Sequence, residues 1–478
     1  MKVTHRIRFL LPLLALGAST PALAESLTPE EALAKAAARS PELRAALYDL
    51  KAAGFAIDAA DRARDAVLSG SVHATHGQTD SVDASLGVKT TSRIGTVIDV
   101  GADASFDGVP TSSATFGIDV RQPLLQGGGE DAVLAQLNQA RLEKSASEAD
   151  RDRAASQLAA SVLDAYWEVW FAAKALAVEK DALALTEQQV ADLTKKVEVL
   201  KTSPAIDLLK LSSEAASQRG QVAQAEADLE AAQISLARLV GSPLGAATEL
   251  ATVADPSAPP AIDPLDTLTA MATAESYELR AQRLSIEAEK VGVRAAVDQA
   301  QPRLDLVGSL KAGALWDDNF SGFSLSGGRP GIIAMVGLEG ELPFGRSRDD
   351  ANLDGARARL ASAEARYQSS LDDVAESVAR ARRQLIQAET ALRIASETSA
   401  IAQKLADTEA KKLALGTSVL TDLVIAQQSA RQAELQRLRA AADIETKRIA
   451  LEALTGGLLP RVAALAPALT NTTVPSEL

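Results

Sequence analysis

The most constraining stretch of this sequence runs from Ser347 to Thr455, which contains no proline and has glycine only at Gly355 and Gly416. Ala, Leu, Glu, Arg and Gln dominate it, and all are strong helix formers, so nothing forbids helix except near Gly416. At Leu415-Gly416-Thr417-Ser418 a glycine suited to a helix C-terminus is followed by hydroxyls suited to an N-cap. The stretch reads as two helices with Gly416 at the hairpin tip. Its legs are unequal: Ser347 to Leu413 is 67 residues and Thr417 to Thr455 is 39. At about 1.5 Å per residue the longer leg reaches on the order of 100 Å. Half of its apolar stripe has no partner within the hairpin, so a second layer requires another helix of about thirty residues. Leu265 to Ala300, free of proline, has the right length to continue the short leg end to end.

The same arrangement occurs earlier in the chain. Glu130 to Lys201 holds neither proline nor glycine, Thr202-Ser203-Pro204 makes a turn with proline at the next helix start, and Ala205 to Val240 is the short leg. Its completing helix is Pro29 to Arg64. Asp207 and Asp422 are 215 positions apart (422 minus 207), as are Gly241 and Gly456 (456 minus 241), while Glu42-Leu43-Arg44 answers Glu278-Leu279-Arg280 at a separation of 236. These registers identify an internal duplication.

The chain opens with Lys2, Arg6 and Arg8 ahead of an apolar run from Phe9 to Leu16, and Ala22-Leu23-Ala24 is a small-residue cleavage site; together they read as a secretory signal peptide. Its removal leaves 46 Lys plus Arg (49 minus 3) against 63 Asp plus Glu, a charge of −17, so nucleic acid is not an expected partner. The absence of cysteine excludes disulfides, thiol catalysis and lipid attachment at a cysteine. Aromatic residues make up 3% of the chain, too few for several conventional cores, and Ala-rich helices in thin layers fit better. After the signal peptide no run of 18 apolar residues occurs. The mature chain thus has no helical route across a membrane, and only a closed β-barrel remains possible.

Strand patterns appear between the completing helix and the long helix of each repeat. Val100, Ala102, Ala104 and Phe106 alternate with Gly101, Asp103 and Ser105, and Ala114, Phe116, Ile118 and Val120 alternate with Thr115, Gly117 and Asp119. Leu304 to Trp316 alternates as well, Ile332 to Leu342 does so less regularly, and Leu68 to His76 is a further strand. Ala84 to Val88 also alternates, and the residues there are consistent with extra strands or with a longer external hairpin. One polar and one apolar face is what a barrel wall between lipid and a wet lumen requires. Four to six strands are fewer than the roughly eight of the smallest membrane barrel, so the barrel must be shared between chains.

No constellation of an enzyme, cofactor site or metal site is present in the sequence. His73 and His76, three apart on a strand, point to opposite faces with no accompanying carboxylate. Gly127-Gly128-Gly129-Glu130 could hold an anion at a helix start but lacks the Lys-Ser/Thr of a phosphate loop and reads as a flexible joint. Tyr166, Trp167 and Trp170 read as packing between helices. Asp207 and Asp422 each fall early in a short leg, where an acid gains about 0.3–1 kcal/mol from the helix dipole. A soluble periplasmic coiled-coil scaffold is the competing reading, permitted by the helices and opposed by the strands.

Gln122-Pro123-Leu124-Leu125-Gln126-Gly127-Gly128-Gly129, Leu342-Pro343-Phe344-Gly345-Arg346 at the equivalent junction, the Gly416-Thr417-Ser418 tip, Ala165-Tyr166-Trp167-Glu168-Val169 and Leu451-Glu452-Ala453-Leu454-Thr455-Gly456 resemble TolC-type outer-membrane efflux proteins. The likeness covers nearly the whole mature chain and lies in the order and spacing of motifs that are individually weak. It implies a homotrimer in outer-membrane lipid, four strands per chain forming a twelve-stranded barrel continuous with a periplasmic α-helical tunnel. It further implies a passive duct whose tips, at Thr202, Ser203, Gly416, Thr417 and Ser418, dock a periplasmic adaptor, with an inner-membrane pump supplying energy. Acidic residues narrow the family's entrance, and Asp207 and Asp422 match those positions. Ile425 and Lys201 depart from the pattern, which puts the tightness of that gate in doubt.

The expected fold class is α+β, mostly α, an internally duplicated chain forming part of a trimeric membrane β-barrel continuous with a long α-helical barrel. The expected division is a signal peptide over 1–24, a first repeat over 25–252 (strands within 66–122, helical hairpin over 129–241), a linker over 253–264, a second repeat over 265–456 (strands within 303–343, hairpin over 346–455) and a flexible tail over 457–478.

Overall fold

The structure, a computed structural model, describes residues 27–76, 80–107, 111–195, 197, 204–241, 256, 261–316, 331–342, 345, 347–464 and 466–469. The expected signal peptide, Lys201, Thr202 and Ser203 at the first tip, and most of the linker lie outside the described residues.

The chain is mostly helical with one antiparallel sheet. Helices α1 (Pro29–Arg39) and α2 (Pro41–Arg62) precede strands β1 (Val67–Thr75), β2 (Ser81–Thr91), β3 (Val97–Asp107) and β4 (Thr111–Pro123), and a short α3 (Glu130–Val133) leads into α4 (Ala135–Thr194) and α5 (Ala205–Val240). The second repeat has α6 (Leu265–Glu275), α7 (Tyr277–Gln299), β5 (Arg303–Trp316), β6 (Gly331–Glu341), α8 (Arg348–Ala414) and α9 (Leu420–Leu454), and α10 (Leu458–Ala463) follows. By their contacts the described residues form two compact units, one drawn from within 33–164, 257–396 and 443–478, which holds the sheet, and one from within 1–32, 165–256 and 397–442.

Each completing helix, expected as one piece, is two. Ser40 (φ −59°, ψ 122°) separates α1 from α2; its hydroxyl accepts from Leu43 N, and Pro41 opens the new helix. Ser276 makes the same break between α6 and α7 (φ −60°, ψ 124°) with no proline and no side-chain cap. The two serines are 236 apart (276 minus 40), so the break belongs to the duplicated unit. The long helix α8 starts on a reciprocal cap, Asp350 N donating to Ser347 Oγ and Ser347 N to Asp350 Oδ2.

The described part of the tail, 457–464 and 466–469, departs from expectation. Instead of an irregular extension, α10 and the 3-10 turn Pro467–Leu469 bury Leu458, Leu459, Val462 and Leu469. Pro460 is tolerated because it lies in the first turn of α10, where a backbone N–H has no helical acceptor. Gly456 (φ +74°) lets the chain turn into this segment, passing so close to α6 that an added Cβ would lie 2.7 Å from Glu275 O.

Among the aromatic residues, Tyr166 is fully buried, donates to Leu27 O at 3.4 Å and meets Trp167 edge-on at 5.8 Å. Burial pushes its phenol up to about 12. These contacts fit the packing role read from the sequence.

Gly456→Ala combines a left-handed backbone with a clash and should destabilise each chain by about 1–3 kcal/mol. Gly220→Ala, in open space within α5, should leave stability unchanged or raise it by up to about 1 kcal/mol. Thermal unfolding of both variants by circular dichroism checks the contrast, and equal melting temperatures would contradict it.

Candidate functional site

The second hairpin tip is built by a C-terminal lock on α8. Gly416 takes φ +75°, its N–H donates to Leu413 O at 3.0 Å, and Thr417 N donates to Lys412 O at 2.9 Å. This is a Schellman arrangement, which satisfies the last carbonyls of the helix. The hydroxyls expected to cap α9 instead close α8: Thr417 Oγ1 donates to Lys412 O at 3.1 Å and Ser418 Oγ to Glu409 Oε2 at 2.7 Å. The Lys412 ammonium, 2.7 Å from Glu409 Oε1, and then Ser418 hold that carboxyl below its usual value. The Glu409–Lys412 pair was legible as an i,i+3 spacing, but its link to Ser418 was not. Helix α9 accordingly begins at Leu420 rather than Thr417.

Asp207 and Asp422 occupy the first turns of α5 and α9. Asp207 is half-buried and Asp422 exposed, and among the described residues neither carboxylate has a hydrogen-bond or ion-pair partner. Around them Ile206, Leu209, Leu415, Val419 and Ile425 are exposed. Thr202 and Ser203 are outside the described residues, so of the expected tip residues the structure describes Gly416, Thr417 and Ser418.

Above the tips the legs are tied across helices. Gln428 of α9 donates to Glu214 of α5 at 2.7 Å, Ser399 of α8 to Glu434 of α9 at 2.7 Å, and Arg219 of α5 to Glu187 of α4. Ala406, Ala426 and Ala430 form the apolar seam between α8 and α9, where small side chains permit close packing. Glu179 of α4 and Arg431 of α9 pair at 3.3 Å with both side chains nearly buried. Burial pushes the Glu179 carboxyl up from its ordinary value, and the guanidinium pulls it part of the way back.

The sheet is a single layer in the order β1-β2-β3-β4-β5-β6. Its register places every even-numbered strand residue on one face. The row Leu68–Val88–Val100–Ile118–Leu310–Ala334 crosses all six strands there. Leu68, Val72, Ile332 and Val336 on this face are 68%, 73%, 69% and 80% exposed, so it is an open apolar surface. The opposite face carries rows such as Ser71–Ser85–Asp103–Thr115 and ion pairs from Arg121 to Asp305 and Glu339. Ile333 and Met335 of β6 are apolar residues on that polar face, as Val67, Val97 and Val307 are on other strands, and the pair accounts for the irregular alternation of β6 noted in the sequence.

The glycine joint after β4 is pinned rather than flexible. Gly127 (φ +79°) donates to Asp298 Oδ2 of α7 at 2.8 Å, so the anion this loop could hold is a carboxylate of the chain itself. Gly129 N donates to Ile94 O in the turn between β2 and β3 at 3.2 Å. Burial raises the Asp298 carboxyl and the Gly127 N–H opposes that shift. His76, expected to lack a carboxylate, has Asp80 at 2.7 Å from its Nδ1, both exposed.

The sequence model of the family described as "Outer membrane efflux protein" matches residues 32–242 and 268–457, the two halves of the duplication. Comparison with curated protein sequences gives no match. Among solved structures the chain is similar to the MtrE outer membrane channel of Neisseria gonorrhoeae (21% identity, 90% of this chain and 89% of that one, TM-score 0.62). It is also similar to the outer membrane protein VceC of Vibrio cholerae (18%, 90% and 96%, TM-score 0.65) and to the CmeC outer membrane channel of Campylobacter jejuni (13%, 99% and 99%, TM-score 0.65).

Removing one member of the Glu179–Arg431 pair leaves a buried charge alone, so Glu179→Leu should cost about 3 kcal/mol, and Glu179→Leu with Arg431→Leu should recover most of it. The folded-state pKa of Glu179 lies above its unfolded value, so this carboxyl's contribution to stability falls as pH rises through the interval between the two. Denaturant titrations of the single and double variants at two pH values check both statements; an additive double variant would contradict the pairing.

Proposed function

The chain belongs to the outer membrane efflux protein family, and from that premise we propose that it is the passive exit duct of a tripartite efflux or type I secretion system. It is an outer-membrane efflux channel of a Gram-negative cell with a periplasmic portion. None of the described helices is long and apolar enough to cross a membrane, and the sheet is the membrane element. The observation that carries the reading is that sheet: apolar on one face, polar on the other, and open at both edges. Lipid against the first face and water against the second is the one environment that satisfies both. A soluble scaffold would leave the apolar face in water.

Open edges in hydrocarbon leave backbone groups unsatisfied at several kcal/mol each, so copies of the chain close the ring, and a homotrimer is the count the family likeness supports. In this reading the tips dock the hairpins of a periplasmic adaptor, and an inner-membrane pump supplies the energy. Exposed Leu415 and Val419 flanking the Gly416, Thr417 and Ser418 lock, and exposed Ile206 and Leu209 at the start of α5, offer apolar anchors, which supports that role. Thr202 and Ser203 are the corresponding docking residues of the first tip. Asp207 and Asp422 form the periplasmic gate, where three chains bring six carboxylates (two per chain times three) towards one axis and favour cations.

Two experiments test this. Native mass spectrometry in mild detergent should give a trimer, and a folded, membrane-inserted monomer would reject the shared barrel. In planar bilayers under a salt gradient, Asp207→Ala with Asp422→Ala should raise single-channel conductance and weaken cation preference. If the acids act only on their helix dipoles, the pair should instead cost about 0.6–2 kcal/mol per chain with conductance and reversal potential unchanged.

A further inference from the structure

The first repeat carries four strands where the second carries two. Its strand region is 18 residues longer: 57 from Val67 to Pro123 (123 − 67 + 1) against 39 from Arg303 to Glu341 (341 − 303 + 1). We propose that the additional pair of strands is part of the membrane wall, so that each chain contributes six strands, β1 meets β6 of the next copy, and three copies close an eighteen-stranded barrel. The count of eighteen rests on the trimeric reading above; the placement of the strands does not.

Three observations carry the placement. First, β2 and β3 pair along their whole length of 11 residues each, from Ser81↔Asp107 to Thr91↔Val97. At 9 to 14 residues, all six strands are long enough to cross the hydrocarbon when tilted. Second, the alternation runs in phase through the added strands: Leu86 and Val88 lie on the apolar face with Ala102 and Val100, while Ser85 and Lys89 lie opposite with Asp103 and Asp99. A hairpin standing in water beyond the barrel has no need of an unbroken apolar face, whereas a wall does. Third, the turn between β2 and β3 is built into the strand-to-helix joint. Gln122 Nε2 and Gly129 N both donate to Ile94 O, and Gly95 (φ +89°) sits where an added Cβ would be 2.5 Å from Gly127 O. The added hairpin therefore turns at the helix end of the sheet.

The occupant of the open edge is a second copy of this chain. In a sheet of six consecutive antiparallel strands, β1 and β6 run in opposite directions, so β6 of one copy and β1 of the next meet antiparallel and continue both faces. Every edge group in hydrocarbon must find a partner, and this junction supplies it. For strands about 4.8 Å apart and tilted by about 40°, eighteen strands give a backbone radius of about 18 Å, against about 12 Å for twelve. The added strands also bring Asp83, Asp99 and Asp103 to the polar face, so the wider lumen is acidic where they line it.

The native chain has no cysteine, so introduced thiols report without background. In the full chain reconstituted in liposomes, a membrane-impermeant maleimide should label Ser71→Cys and Ser85→Cys at least tenfold faster than Val72→Cys and Leu86→Cys; equal labelling of the two faces overturns the wall placement whatever the number of chains. Double variants pairing Leu68→Cys or Val72→Cys with Val336→Cys or Leu338→Cys should oxidise into covalent rings of three. A disulfide from Val100→Cys on β3 to β6, with none from β1, overturns the proposal, because β1 and β2 then stand outside the wall and not all six strands belong to it. Rings of another size joined through β1 and β6 uphold the edge and overturn the trimeric reading.

Discussion

Hydrocarbon offers no partner to a peptide N–H or C=O, and the arrangement of this chain depends on how it meets that requirement. Its helices satisfy their own backbones along nearly their whole length, which frees them to be long, alanine-rich and polar on the outside. Its strands satisfy theirs only sideways. Five ladders join the six strands without interruption in order, and the two outermost strands are left with a requirement no part of the same sheet meets. In the proposed assembly further copies of the chain meet that requirement.

The joint between sheet and helices shows how the same economy operates at the boundary. A chain leaving a strand for a helix exposes backbone donors, and here Asp298, Ile94 and Leu125 take up the N–H groups of Gly127, Gly129 and Gly128. At the tip of the second hairpin, Gly416 and Thr417 close the end of α8 onto its own carbonyls. In the unit that holds this tip, α8 and α9 meet along an alanine seam and α9 is tied to α4 by ion pairs such as Arg439 with Glu168 at 2.8 Å. Exposed pairs of that kind contribute at most about 1 kcal/mol each and set register more than strength.

Much of this was legible in the sequence because two periodicities are clean. Proline-free stretches bounded by Gly416 or by Thr202 to Pro204 define the long helices, and period-two alternation marks β3, β4 and β5. What was not legible depends on partners distant in sequence. Ala84 to Val88 alternates, yet its small residues identify β2 only once Ala102 and Val100 lie opposite. The break at Ser276 carries no proline and is visible only through its equivalence to Ser40. Pro460 and Pro467 suggest an irregular tail, whereas each stands at the opening of a short helical turn that buries leucines. The hydroxyls of Thr417 and Ser418 are typical of an N-cap, and the lock they make on the preceding helix follows from Glu409 and Lys412 one to two turns earlier. For the candidate site, the sequence placed Asp207 and Asp422 at matching offsets early in the short legs, and the structure adds that neither carboxylate has a partner among the described residues.

In the assembly proposed above the sheet is closed edge to edge between chains. Residue-resolved amide hydrogen exchange on the membrane-inserted assembly tests it most directly, by comparing the β1 amides that point away from β2 with the amides of β4, which has a strand on each side. Exchange at β1 as slow as at β4 is the predicted result; fast exchange confined to those outward amides, with β4 protected, would show an unpaired edge and contradict the account.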